Sequence, residues 1–516
     1  IINLMENKKS ASIQTRFAVS LAANILRSVI SLITGILLAR WLGPEHFGRM
    51  AFLLVTFLAL RQFLDMASSS AFFTFLSQRK RSRRFVNFFW CWILIQFVFS
   101  LLVVGWLMPD SLLNIIWKGE EQTIILLALV AVFMQQNVWP IAMQMAEANR
   151  ETVRAQKLNV VVVVVHLAVI IALWLGGQLF LPLIFIALII EWTIAGWLAT
   201  RMYREYDDQT DETEGKDDTA ANVFNEFWDY CKPFIPYAWL SFAYTFADRW
   251  MLQQWGGATE QAYFAVAHQF SVVALLATAS ILRIFWKEIA EAKHQGDDEK
   301  VKRLYQRVSK SLYFIAVITA GGLMPWSAEI ITLLLGTAYS GGTFTLMLMF
   351  LYPVQQSMGQ IGGAMLYATE NSRIQAILGS IFMALSIIAA YFMLAPESMI
   401  VPGLGLASQG LALKMVIMAL IQVNVLAWFI AKIFVWKFEW VYQVVSLSLA
   451  VAAGWVAKLF VESIITAHVI VLMATSAAIY LILMSLVVYI LPWLLGIERE
   501  TIQQYFTNML GKKSIL

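Results

Sequence analysis

Apolar runs of about 20 residues recur along nearly the whole chain, separated by short clusters of charged and polar residues. Each run is long enough to cross the roughly 30 Å hydrocarbon layer as a helix. Fourteen spans are expected, at approximately residues 17–39, 50–76, 85–107, 123–146, 157–176, 178–199, 233–254, 262–286, 311–336, 343–368, 374–395, 408–431, 440–461 and 468–491. The alternation over about 10 residues that marks a membrane β-barrel strand does not occur. The pattern therefore predicts an all-α, polytopic membrane protein.

Composition agrees. Of the 516 residues, 60% are hydrophobic and only 14% charged, against roughly 45–50% and about 25% in a soluble domain. The mean hydropathy is +0.70. A formal charge of +4 is too small to suggest nucleic acid as a partner. Cys91 and Cys231 are the only cysteines, so neither a disulfide framework nor a CxxC motif is present. The polar stretch Ile1–Ser10 leads directly into a full-length span, which is not the pattern of a cleavable signal peptide. Met5 stands as a candidate start.

Basic residues orient the spans. With the N-terminus placed in the cytoplasm, 28 of the 37 lysines and arginines fall in cytoplasmic segments, 5 at outer ends and 4 within spans. That asymmetry follows the positive-inside rule and predicts both termini cytoplasmic. The outer loops are short. The longest polar stretch, Tyr203–Asn222, is rich in Asp, Glu and Thr, a composition that cannot build a core and predicts a solvated tether. The expected organisation is an N-terminal lobe over 1–200, an acidic cytoplasmic linker over 201–232, a C-terminal lobe over 233–435 and two further helices with a tail over 436–516.

Polar groups within the spans are the candidate chemistry. Ser20, Asn24, Arg27, Ser31 and Thr34 follow 4-3-4-3 spacing, one helical face. Exposing an arginine to lipid costs about 2.5–3.5 kcal/mol or more, so Arg27 should face water or a partner inside the bundle. Arg61 and Asp65 stand four apart, a spacing that allows an intrahelical pair. A paired arginine can still offer part of its five-donor fork to a phosphate. Tyr237, Ser241, Tyr244 and Asp248 share a face of the seventh span. Asp248 and Arg249 close that span at its outer end, where anchoring to water is the ordinary role. His268 and Arg283 belong to the eighth span; a helix contact explains His268 and snorkelling to the interface explains Arg283. Asn159 and His166 share a face of the fifth span, Glu191 lies in the sixth and Lys414 in the twelfth. The tenth holds Pro353, Gln355, Gln356, Gln360, Gly362 and Gly363: a kinked helix with amides for sugar hydroxyls, or small residues for close packing.

Two hairpins carry a likeness to each other and to a known family. The first reads Ala39-Arg40-Trp41-Leu42-Gly43-Pro44-Glu45-His46-Phe47-Gly48 before re-entering at Met50-Ala51-Phe52. The second reads Asp248-Arg249-Trp250-Met251-Leu252, then Gly256-Gly257-Ala258-Thr259-Glu260, re-entering at Ala262-Tyr263-Phe264. Two halves that both start inside would form a parallel repeat, which transporters use to hold a substrate path at the repeat interface. Ser20–Arg27 together with Leu38–Gly48 resembles the opening of polysaccharide flippases of the multidrug/oligosaccharidyl-lipid/polysaccharide exporter superfamily, and Asp248-Arg249 with Ala262-Tyr263 is similar to the same family's seventh–eighth hairpin. The resemblance implies two six-helix lobes, alternating access and an undecaprenyl-diphosphate-linked oligosaccharide carried from the cytoplasmic to the outer leaflet of the bacterial inner membrane. Membrane lipid, and a glycan polymerase with its chain-length machinery, are the implied partners. The cavity residues so implied are Arg27, Arg61 and Arg283, with Asn24, Asp65, Asp248, His268, Gln356 and Gln360 as polar neighbours. Fourteen spans match the lipid II flippase branch, whereas the loop sequence is closer to the O-antigen and capsule branch.

No GxxxxGK[ST], no HExxH and no metal-spaced His/Cys cluster occurs, so no cofactor or metal is expected. A membrane glycan polymerase or ligase needs sizeable loops that this pattern lacks. A cation-coupled multidrug antiporter would favour acidic cavity residues, whereas the arginines prevail here.

Overall fold

The computed structural model describes residues 13–79, 81–148, 151–207 and 219–496. Its helices are, in chain order, α1 (Ile13–Asp65), α2 (Ser68–Gln78), α3 (Arg83–Leu102), α4 (Asp110–Trp117), α5 (Gln122–Phe133), α6 (Trp139–Ala148), α7 (Thr152–Leu175), α8 (Leu181–Asp207), α9 (Ala220–Cys231), α10 (Ile235–Trp255), α11 (Gly257–Ala274), α12 (Leu276–His294), α13 (Asp298–Leu323), α14 (Ser327–Leu334), α15 (Thr343–Met349), α16 (Tyr352–Ala368), α17 (Ser372–Leu394), α18 (Ala407–Ile433), α19 (Val441–Ile464) and α20 (Val469–Ile490). π-helical turns at Val103–Leu107 and Met134–Val138 extend α3 and join α5 to α6. The fold is all-α, and every predicted span coincides with one or two of these helices.

Ten stretches among the described residues are long and apolar enough to cross a membrane, and the first, Val19–Asp65, takes in two predicted spans. The seventh, eighth and tenth spans are helical yet fall outside this group. Span seven is diluted by the polar face of α10, and the tenth is divided at Phe350–Leu351, leaving α16 only 17 residues. Pro353 begins α16 rather than bending one long helix, as expected of a residue that lacks an N–H.

Three local differences from the sequence reading have physical causes. No open loop separates the first two spans: α1 stays helical except at Gly43, whose φ of 73° and ψ of 169° are open only to glycine, and Pro44 starts the next segment at once. Span two, expected as one helix, breaks after Asp65, where Met66 and Ala67 adopt positive φ and α2 begins. The acidic tether is shorter than expected, because α8 runs on to Asp207 and α9 begins at Ala220. Val223, Phe227 and Cys231, at i, i+4 and i+8, give α9 a buried apolar face. Residues 208–218 of the tether lie outside the described residues.

The chain divides into two compact units, Ile1–Ala262 and Tyr263–Leu516. In the first, α1 packs on α10 and α7, and α8 on α5 and α6. Its aromatic core joins Phe72, Phe85, Phe89 and Phe227, with the Phe72 and Phe89 rings stacked at 4.1 Å. Arg81 is buried beside this core, 4.6 Å from the Phe85 ring and paired with Glu226 of α9 at 2.6 Å. In the second unit, α13 packs on α16 and α19, and α16 on α18. Glycines permit these approaches. A Cβ on Gly454 would meet the Gly321 carbonyl oxygen at 2.0 Å, and one on Gly362 would meet Leu426 at 2.8 Å. Of the two adjacent glycines in the tenth span, Gly362 is therefore a packing residue, whereas a Cβ on Gly363 would meet only the Gln375 side chain at 3.5 Å.

Candidate substrate site

Arg61 is half-buried on the second segment of α1, and its Nε is buried without a hydrogen-bond partner. The intrahelical pair that its spacing allows does not form. Asp65 instead accepts hydrogen bonds at Oδ1 from the Ser68 hydroxyl (3.1 Å), the Ser69 amide (3.0 Å) and the Ser69 hydroxyl. It thus satisfies a free amide at the start of α2, the ordinary work of an Asp before a helix. The Trp92 indole donates to the Ser68 hydroxyl at 3.2 Å and extends the network to α3.

Beside Arg61, Gln62 accepts a hydrogen bond from Ser241 of α10 at 3.2 Å. Phe63 packs on Trp239 and Phe242 of the same helix, with ring centroids 5.6 and 5.2 Å apart. Asp248 is buried farther along α10. Arg27 lies on the first segment of α1 and is exposed, as are Ile25, Leu26, Val29 and Ile33 around it. The predicted polar stripe is split: Ser20 and Thr34 are buried, Asn24 is half-buried, and Arg27 and Ser31 are exposed. Arg27 stands sixteen residues before Gly43 and Arg61 eighteen after it. At 1.5 Å per residue these are about 24 and 27 Å of helix from the kink.

The predicted outer end of this unit is closely tied. Arg49 holds Glu120 through two bonds of 2.6 and 2.8 Å, the bidentate geometry that an arginine fork supports. Lys118 donates to the Gln254 carbonyl at 2.7 Å, and the Trp250 indole to the Ile115 carbonyl at 3.1 Å. Gln261, fully buried, bonds both the carbonyl and the side chain of Arg249. Gly48 allows the closest approach: a Cβ there would lie 1.7 Å from the Ala258 carbonyl oxygen.

In the second unit, His268 sits among rings, 6.0 Å from Phe264 and 6.5 Å from Tyr352 of α16, which is a helix contact. Arg283 belongs to α12, and its side chain lies outside the described residues. Gln356 and Gln360 are half-buried on α16, and the Oε1 atoms of Gln355 and Gln360 are buried without partners. Among the described residues no group of three His, Cys, Asp or Glu side chains is placed to hold a metal.

Several polar contacts carried no sequence signal, because their partners are far apart in the chain. Arg49–Glu120 and Arg81–Glu226 are two. A third is Lys458 of α19, which donates to the Pro325 carbonyl at 2.9 Å and Glu329 at 2.6 Å.

These features can be set beside known proteins. Residues 15–286, more than half of the chain, match the family described as polysaccharide biosynthesis protein. The chain belongs to that family. The match takes in the segments bearing Arg27, Arg61 and Arg283. No match was found among curated protein sequences. Among solved structures, the chain is similar to a lipid II flippase MurJ in an inward closed conformation, at a TM-score of 0.65 and 15% identity over 90% of this chain and 98% of that one. It is also similar to an inward-facing multidrug resistance MATE transporter of the MOP superfamily, with a TM-score of 0.57, 14% identity, and 81% and 98% of the two chains covered. A MOP superfamily transporter from Pyrococcus furiosus gives 0.55, with 13% identity over 82% and 95%. At such identities these likenesses establish a shared fold alone; with ten apolar helices among the described residues, it is that of a multi-pass membrane protein.

Proposed function

We propose that this protein is a flippase that carries an undecaprenyl-diphosphate-linked oligosaccharide from the cytoplasmic to the outer leaflet of a bacterial inner membrane, for cell-surface polysaccharide synthesis. The observation that carries the reading is the state of the two arginines on α1. Arg27 is exposed halfway along an apolar segment and Arg61 has a buried, unpartnered Nε. An arginine so placed is tolerated within a membrane only against water or an anion. A diphosphate must shed water to enter a membrane cavity, and charge-assisted bonds from guanidinium forks replace that hydration. Arg283 of α12 is the further arginine of this reading, and the cargo would cross by alternating access. Family membership in polysaccharide biosynthesis supports the glycan. The likeness to the lipid II flippase, together with two helices beyond twelve, supports a lipid-linked cargo and keeps lipid II itself as the second reading.

Loss of one charge-assisted bond costs about 1.5–3 kcal/mol, which is roughly a tenfold to hundredfold weaker hold. Arg27→Ala and Arg283→Ala should each abolish glycan export in a strain depending on this chain, at unchanged membrane levels. Lysine should rescue only in part, because a point charge lacks the planar fork. Since Asp65 is engaged by Ser68 and Ser69, Arg61→Ala with Asp65→Ala should stay inactive rather than compensate. Export at the wild-type rate by both Arg27→Ala and Arg283→Ala would overturn the reading. Rescue of a lipid II flippase-deficient strain, with no glycan export, would select the second.

A further inference from the structure

Two neighbouring helices of the first unit, α7 and α8, hold an ionisable pair between them. His166 is the fifteenth of 24 residues in α7 and Glu191 the eleventh of 27 in α8, so both lie near mid-helix. The His166 Nδ1 and Glu191 Oε2 atoms are 2.7 Å apart, with side chains 18% and 7% exposed. The second carboxylate oxygen, Oε1, is buried and has no hydrogen-bond partner. The next residue, Trp192, also has a buried indole N–H without a partner, and the π turn Met134–Val138 packs on the same helix. Single π turns recur at functional sites.

Among the described residues neither group has a second ion-pair partner. α5 and the π turn carry no titratable side chain. α6 carries Glu147, which accepts from Gln156 at 3.3 Å near the start of α7. Arg154 and Lys157 are also near the start of α7, and Arg201, Arg204, Glu205 and Asp207 near the end of α8. On the α1 segment beside α7 the charges are Arg16, Arg27 and Arg40. The stack of Trp41 on Trp174, with centroids 4.4 Å apart, puts Arg40 near the far end of α7.

Two charge states of the pair matter. With one proton shared, an imidazolium faces a carboxylate and the net charge is zero. When that proton leaves to water, a neutral imidazole faces a lone carboxylate with a net charge of −1. The dry, unpartnered Oε1 is compatible with the neutral state. It is incompatible with the charged one, since an uncompensated buried carboxylate is very costly. Histidine is the side chain whose proton comes and goes near neutral pH. We propose that His166 and Glu191 form a proton-binding site, and that loss of its proton opens the α7–α8 contact to water. This goes beyond the flippase reading by supplying a coupling ion. Its sign follows: the dry packing is favoured at low pH and lost as the pH rises through the pair's titration.

The test uses the purified full-length protein in lipid. Infrared difference spectra taken from about pH 5 to about pH 8 should contain a one-proton step that disappears in both His166→Gln and Glu191→Gln. Subtracting the variant isolates one imidazole among the five in the chain. If a single variant misfolds, the double amide variant retains a hydrogen bond between α7 and α8 and serves in its place. In cells, export should fall as external pH rises in the wild type, the protonated fraction dropping tenfold per unit above the titration, and should be insensitive to pH in Glu191→Gln. A wild-type spectrum lacking a step that depends on His166, or a wild-type pH profile in Glu191→Gln, would overturn the proposal. Absence of glycan export by the wild type, with the spectral step intact, would instead overturn the flippase reading.

Discussion

Alanine at Gly48 puts a number on how closely the predicted outer end of the first unit is packed. Its Cβ would stand 1.7 Å from the Ala258 carbonyl oxygen, 2.6 Å from the carbonyl carbon and 3.1 Å from the Ala262 amide nitrogen. Ordinary contact needs roughly 3.5 Å, so the start of α11 must retreat by well over an ångström. Because the obstructing atoms are backbone, no rotamer change relieves them, and Ala258→Gly should not rescue. Overpacking of this kind costs about 1–3 kcal/mol and occasionally more, which exceeds the roughly 0.5–1 kcal/mol that alanine gains over glycine within a helix. Gly363 is the control: its added Cβ would touch only the Gln375 side chain, at 3.5 Å. At about 2–4 °C per kcal/mol, Gly48→Ala should lower the thermal midpoint in detergent by several degrees while Gly363→Ala leaves it unchanged or slightly raised. Equal midpoints for the two variants would refute the steric argument.

Lys458→Met should destabilise the second unit by about 1–3 kcal/mol, because it strands Glu329 and the Pro325 carbonyl; the thermal midpoint reads this, and a neutral result would mean that water replaces the ammonium. Deleting Asp207–Asp218 should leave export near normal, since α9 holds the chain to the first unit downstream of the cut; complete loss in a well-expressed deletion would give the segment a specific role. Reporter fusions after Gln295 and after Gly257 should read cytoplasmic and outer respectively, and a reversed signal at Gln295 would overturn the span order.

The helical class was legible because nearly every run is apolar for its full length and needs no partner to declare it. Breaks were less legible. Gly43-Pro44 reads as a loop, yet a glycine with φ of 73° followed by proline at the first helical position turns the chain within one residue. The break at Met66–Ala67 has no glycine or proline at all; Asp65 makes it by bonding Ser68 and Ser69. Helix α9 was hidden within an acidic stretch, although its i, i+4, i+8 apolar positions were there to be read. At the site, residue types and depths could be inferred, but whether Arg61 was held by Asp65 could not, since spacing permits a pair without choosing it. Pairs such as His166–Glu191 depend on which helices become neighbours, and no local pattern records that.

The π turn at Met134–Val138 has a consequence for how this span tolerates changes of length. A π turn is one residue more than the α-helix would place there. Removing one residue anywhere else in the packed stretch Gln122–Ala148 would swing everything downstream by about 100°, turning buried Ile141, Ala142 and Met145 away from their neighbours. Removing one within 134–138 instead closes the turn into ordinary helix, with both flanks left in place. That five-residue window is thus where relatives with a span one residue shorter should carry their gap, and where a single-codon deletion should be survived.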